Sequence, residues 1–125
     1  MKPLKRHFAL VKLSQEHHHT LALCLRILRA PTLNHAADIQ NHFVDLEKHF
    51  QDEENQFAPL WAKLQRDDLR LRFENEHTRL RALYHDAEFD NANWNTTFAT
   101  LLREHARFEE RELFPAIQTI LPAAE

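Results

Sequence analysis

Apolar residues recur at steps of three and four in four separate stretches of this chain, the spacing of amphipathic helices. The first stretch covers about residues 15–30, with Leu21, Cys24, Leu25 and Leu28 as its inward stripe and Pro31 just beyond its end. Ser14 stands where an N-cap belongs, its hydroxyl able to accept from an orphan amide of the first turn. Residues 1–13, ahead of it, are basic and mixed in character and read as an arm lying against the other helices. A second helix, about 35–65 and capped by Thr32 or Asn34, carries the series Ile39, Phe43, Leu46, Phe50, Phe57, Leu60, Leu64. Pro59 falls inside that series and predicts a kink, because proline removes an amide donor and crowds the preceding turn. The third, about 68–88, opens on Asp67 and Asp68 and turns Phe73, His77, Leu80, Tyr84 and Ala87 inward. After a turn at residues 89–93, the fourth runs to about 121 with Trp94, Phe98, Leu101, His105 and Phe108 facing the core. Four such helices with short connections predict one all-α domain over residues 1–125, an antiparallel up-down-up-down four-helix bundle.

The second series has one break, and it is informative. Between Phe50 and Phe57 the next core slot holds Glu53, which is costly unless something charged meets it there. His49 lies one turn before Glu53 on the same face, so both side chains can converge on one ion. The same arrangement recurs in the fourth helix as His105 and Glu109, and both copies read H-x-x-x-E-E followed, after two further residues, by two apolar positions and a proline. The first and third helices each add an inward histidine. His77 sits in the core stripe of the third. In the first, His17 falls roughly 30° from the centre of the stripe and His18 roughly 70°, so His17 is the better candidate and His18 the substitute.

Composition narrows the picture. No glycine and five prolines leave the left-handed turns to Asn, Asp or Pro. A net charge of −3 gives no reason to expect nucleic acid or an anionic membrane as partner. The apolar runs are too short to span a bilayer and the basic N-terminus lacks a signal-peptide block. One cysteine, Cys24, cannot form an internal disulfide, which suits a reducing cytoplasm. Ten histidines are an excess, and the inward ones are the chief lead.

An inward histidine taken singly is more often a core residue bonded to a backbone carbonyl, and that reading serves for His7, His19, His35, His42 and His85. His42 shares a face with His49 but lies about 10.5 Å along the axis, too far for the same ion. For the remaining set the surface value of a His–Glu pair, about 0.2–0.5 kcal/mol, cannot offset burying two carboxylates and four imidazoles. A cation resolves the conflict. The candidate metal ligands are therefore His17, His49, Glu53, His77, His105 and Glu109. The E-x-x-H pairs Glu16 with His19 and Glu74 with His77 suggest a ferritin-like scheme, but Glu16 and His19 point outward by the same angular count and His49 and His105 would have no role.

Residues 13–17 (LSQEH), His49-x-x-x-Glu53-Glu54, Glu76-His77 and His105-x-x-x-Glu109-Glu110 with Leu113-Phe114-Pro115 together resemble the hemerythrin-like, HHE cation-binding family. The resemblance implies a four-helix bundle around two non-haem, oxygen-bridged iron ions, with Glu53 and Glu109 as bridges and the four histidines as terminal ligands; the donor types also admit zinc or manganese. It implies a small partner, O2, NO or peroxide. Oxygen-carrying hemerythrins have a paired histidine on the third helix and an aspartate five residues after the last one; here His77 stands alone between Phe73 and Arg81, and Glu109 follows at four. About four of roughly twelve coordination positions stay unfilled by protein, two of them taken by a bridging oxygen, which favours sensing, iron handling or stress protection over oxygen carriage. Two other classes compete. One is a di-iron enzyme breaking down peroxide or oxidising a substrate at the same centre, although no further acid–base or nucleophilic constellation accompanies it. The other is a metal-free interaction module. A sensor of this kind would signal through a separate effector protein.

Overall fold

The computed structural model describes residues 6–122, and these are helical without a strand. Four long helices, α1 (Phe8–Arg29), α2 (Ala36–Phe57), α4 (Asp67–His85) and α5 (Ala92–Phe108), are supplemented by two short ones, α3 (Trp61–Leu64) and α6 (Phe114–Gln118). A π-helical turn, Glu109–Leu113, joins α5 to α6 without interrupting the helix. α1 packs chiefly against α5 and also against α2, and α4 packs against α5. No described helix is long and apolar enough to cross a membrane.

Several boundaries differ from the sequence expectation, each for a local reason. α1 begins at Phe8, so residues 8–13 are helix and not an arm; residues 1–5 lie outside the described part. His7 supplies the cap, its Nδ1 accepting from the Ala9 amide at 3.0 Å, while Ser14 is inside the helix and bonds Glu110 instead. The buried stripe of α1 is Leu10, Leu13, His17, Thr20, Leu23, Cys24 and Ile27, and Leu25 is exposed. The inner face is rotated toward Leu23 and Ile27 and still includes His17. Asn34 accepts from the Ala36 amide ahead of α2, and Asn91 caps α5 by accepting from Asn93 and Trp94.

Pro59 breaks the second helix where a kink is expected. α2 ends at Phe57, a turn carries the Leu60 amide to the Phe57 carbonyl at 2.8 Å, and α3 resumes at Trp61. α3 closes on Gln65 at φ 55°, the one non-glycine left-handed residue of the described chain, a place expected to fall to Asn, Asp or Pro. At the matching Pro115 the chain instead widens into the π turn, with the Phe114 amide reaching back to the Glu109 carbonyl. Such one-turn π insertions are a known way of absorbing a local mismatch within a helix.

The core has two apolar clusters. One gathers Leu23, Cys24, Ile27, Ile39, Leu46, Phe50, Leu80, Trp94, Phe98 and Leu102. The other gathers Leu10, Leu13, Phe57, Trp61, Leu69, Phe73, Phe108, Leu113, Phe114 and Ile117. On every long helix the inward histidine falls between residues of the two clusters. Along α1 and α4 the second cluster comes first, and along α2 and α5 the order is reversed. The buried Asn95 side chain ties the connections together, its amide donating to the carbonyls of Pro31, Leu33 and Phe89.

Candidate metal centre

The layer between the two clusters is polar and buried. α1 contributes His17, α2 His49 and Glu53, α4 His77, α5 His105, and Glu109 opens the π turn; all six are buried, and Glu53 and Glu109 are 0% exposed. The four rings turn Nε2 inward. His49 Nε2 is 3.3 Å from Glu53 Oε2 and 3.7 Å from Glu109 Oε1, His77 Nε2 is 3.3 Å from Glu53 Oε1, and His105 Nε2 is 3.6 Å from Glu109 Oε2. His17 Nε2 is closer, 2.8 Å from Glu109 Oε1. The donor atoms fall into two groups, each within 4.8 Å of one another: His17, His49, Glu53, Glu109 and Glu53, His77, His105, Glu109. Both carboxylates belong to both groups. His18 and His19 are exposed, which decides between His17 and His18 as the inward residue of α1.

A second ring of carboxylates surrounds the first. Each histidine donates its Nδ1 hydrogen to a glutamate on a different helical segment: His17 to Glu110 at 2.8 Å, His49 to Glu16 at 2.9 Å, His77 to Glu54 at 2.7 Å and His105 to Glu76 at 2.7 Å. The pattern closes on itself, α2 to α1, α4 to α2, α5 to α4 and α1 to the π turn. Donation from Nδ1 fixes the tautomer that leaves the Nε2 lone pair free to face inward, the usual outer support of a metal-binding imidazole. Glu16 therefore points toward the centre's edge and not away from it, contrary to the angular count, because the inner face of α1 is rotated. Sequence reading missed all four outer roles. The available signal was adjacency: Glu16, Glu54, Glu76 and Glu110 each neighbour an inner residue in the chain.

Three of the outer glutamates are held by cations. Arg81 grips Glu54 with both Nη atoms, at 2.7 and 3.2 Å, and reaches Glu47 through Nε. Arg72 holds Glu76 at 3.0 Å, and Arg6 and Ser14 hold Glu110. Burial opposes ionisation of Glu54, Glu76 and Glu110, but these contacts, with the histidine hydrogen bonds, outweigh it and lower the pKa of all three. Charge at the centre is divided unevenly. Burial, reinforced by the neighbouring Glu109, raises Glu53 well above the usual carboxylate range. Burial also opposes ionisation of Glu109, but His105, His17 and His49 outweigh it and hold that carboxyl well below the range. The protein alone thus pushes the two carboxyls in opposite directions. Burial depresses His49, yet Glu53 and Glu109 raise it on balance to about 11; His77, lowered by burial and by His105, falls to about 4.

Protein groups do not satisfy this layer. Among buried side-chain atoms without a hydrogen-bond partner are His49 Nε2, His77 Nε2, His105 Nε2, both Glu53 oxygens and Glu109 Oε2. Inward lone pairs from imidazole and carboxylate, sealed from water and unpartnered, fit a cation. The family model described as Hemerythrin HHE cation binding domain matches residues 9–117, nearly the whole chain. This chain is a hemerythrin HHE domain. Comparisons with curated proteins and with solved structures give no significant match.

The other histidines of this HHE domain have local roles or none. His35 bonds the Ala30 carbonyl at 2.8 Å, His42 pairs with the Thr20 hydroxyl at 2.9 Å, and His85 is exposed beside Asp86. Cys24 is buried in the first apolar cluster, and burial pushes its thiol up to about 12. The single tyrosine, Tyr84, stacks on Phe43 with ring centres 3.7 Å apart, away from the polar layer. The E-x-x-H alternative gains nothing, since Glu74 pairs with Arg70 at the surface and His19 is exposed.

Proposed function

We propose that this HHE domain holds two non-haem iron ions, one against His17 and His49 and the other against His77 and His105, with Glu53 and Glu109 serving both. The observation that carries this reading is the sharing of the two fully buried carboxylates between two donor groups, most of whose inward atoms lack protein partners. Divalent ions of this hardness take about six donors each, so six protein residues leave positions for water and a small ligand such as O2, NO or peroxide. Bound iron supplies open coordination positions and one-electron chemistry. The chain's own residues orient and enclose it. Outer glutamates hold each ring's Nε2 inward, while Phe50 and Phe73 press on His77 at 4.1 and 4.2 Å and Phe114 stacks on His17 at 5.5 Å, which keeps bulk water out.

The residues beside His77 support the open positions. Phe73, one turn before it, packs on the imidazole, and Arg81, one turn after, is turned outward to Glu47 and Glu54, so neither adds a donor. The alternating order of the two apolar clusters along successive long helices supports an antiparallel up-down-up-down arrangement for the bundle that carries the site. Roles in sensing, iron handling or protection from oxidative or nitrosative stress all follow from such a site. A metal-free interaction module is disfavoured by the unpartnered inner atoms. Metal analysis with an optical spectrum taken with and without oxygen tests the proposal. It expects about two irons per chain and a near-ultraviolet charge-transfer band. One zinc per chain, with no colour after reconstitution with iron, overturns it.

A further inference from the structure

The two halves of the centre share their inner ligands but differ in how they meet the outside. A cleft of about 380 Å³ between α1 and α2 is lined by Glu16, His19, Thr20, His42, Asp45 and His49, together with Arg26 and Lys48. A second cleft, about 310 Å³ between α2 and α4, is lined by Glu54, Trp61, Phe73, His77 and Arg81, with Arg70 and Glu74. Each therefore touches one inner histidine and the glutamate that supports it. Their charges are arranged differently. In the second cleft the carboxylates are neutralised from within, Glu54 by Arg81 and Glu74 by Arg70. In the first, the two cations pair with carboxylates outside the lining, Arg26 with Asp38 and Lys48 with Asp52, so that among the described residues Glu16 and Asp45 have no arginine or lysine partner. His19 and His42 add imidazole donors there, and burial lowers the pKa of His42, which favours its neutral form.

Anchoring gives an independent second difference. Among the described residues Glu54, Glu76 and Glu110 each have an arginine, whereas the only charged partner of Glu16 is His49. Glu16 is also 34% exposed at its side chain. The one outer carboxylate free to swing is the one that faces the cleft suited to a cation.

We propose that divalent cations reach the centre through the cleft between α1 and α2, held in passing by Asp45, His42 and His19. They enter where Glu16 swings off His49, so the half built on His17 and His49 fills first and exchanges fastest. This rests on the two-ion reading above. The test is stopped-flow uptake of cobalt(II) alone by the metal-free full chain. Asp45→Asn, at an exposed position, and Asp45→Asn with His42→Ala are compared with Arg70→Ala in the other cleft. The double variant takes up cobalt roughly tenfold more slowly, the low end of what charge focusing in a cleft provides. Asp45→Asn slows it by a smaller factor, while final capacity and the cobalt spectrum match the parent's. Arg70→Ala leaves the rate unchanged. Parental uptake rates in both cleft variants, or equal slowing by Arg70→Ala, overturn the entry route. A parent that binds no cobalt at any rate sinks the two-ion reading itself, whereas two ions taken up at undisturbed rates sink only the route.

Discussion

Glu53→Leu is the substitution whose effect on stability changes sign with the metal. In chelator, burial and Glu109 push the Glu53 carboxyl toward its neutral form, so its removal strands less charge than the loss of a fully ionised carboxylate would. What it removes is two fully buried oxygens without hydrogen-bond partners, each costing roughly 1–3 kcal/mol. The contacts to His49 and His77 at 3.3 Å, close but misaligned for hydrogen bonding, offset part of that gain. A net stabilisation of about 2–3 kcal/mol remains, which raises the melting temperature of a domain this size by about 10 °C. With cation in hundredfold excess over its dissociation constant, each site adds about 2.7 kcal/mol to the parent. The variant has lost a carboxylate common to both groups and gains little. Melting followed by circular dichroism, with chelator and then with iron(II) under nitrogen, therefore gives curves that exchange order: variant above parent without metal, parent above variant with it. A parent that melts higher in both conditions refutes the account of the inner layer. So does a melting temperature that chelator leaves unmoved.

Other expectations follow from the surroundings of the centre. Glu54→Gln keeps the shape but weakens both the Arg81 grip and the acceptance from His77, and lowers cation affinity about 10–100-fold at one of two sites, seen as a split in calorimetric titration. Cation binding releases protons, because the carboxylates beside His49 hold it at about 11 and it must shed a proton to become a ligand. Affinity accordingly climbs with pH from 6 to 9, and calorimetry in buffers of different ionisation enthalpy counts the protons; a pH-independent affinity contradicts the assignment. Cys24, its thiol near 12, is about 10⁻⁴ thiolate at pH 8 and resists alkylation until the chain unfolds. Rapid labelling of the native protein would show that α1 opens at Cys24.

Much of the inner site was legible in the sequence because it rests on one helical turn. His49 with Glu53 and His105 with Glu109 need only the i, i+4 relation, which survives small errors in helix ends. His77 was legible because it interrupts a clear apolar stripe. The outer ring was not, since each of its bonds crosses between helical segments and depends on rotations that spacing within one helix does not fix. Glu16 shows the cost: an inner face of α1 assigned to Leu21 and Leu25 turned this residue outward, while the true face through Leu23 and Ile27 brings it to His49. The two prolines mark another boundary of sequence reading. Pro59 and Pro115 stand in matching motifs, yet one follows the end of a helix and the other is preceded by a wider turn, a difference that the shared motif does not encode.

Among the described residues the polar layer separates two hydrophobic clusters. Phe50 from one end and Phe73 from the other both rest on His77, so cohesion along the long axis passes through imidazole rings and carboxylates. An ion there acts as a mid-length rivet, and the loaded chain melts as one cooperative unit. Stripped of it, the ends lose their shared joint and loosen separately, with amide exchange rising first around His49, Glu53 and His77 where the rivet sat.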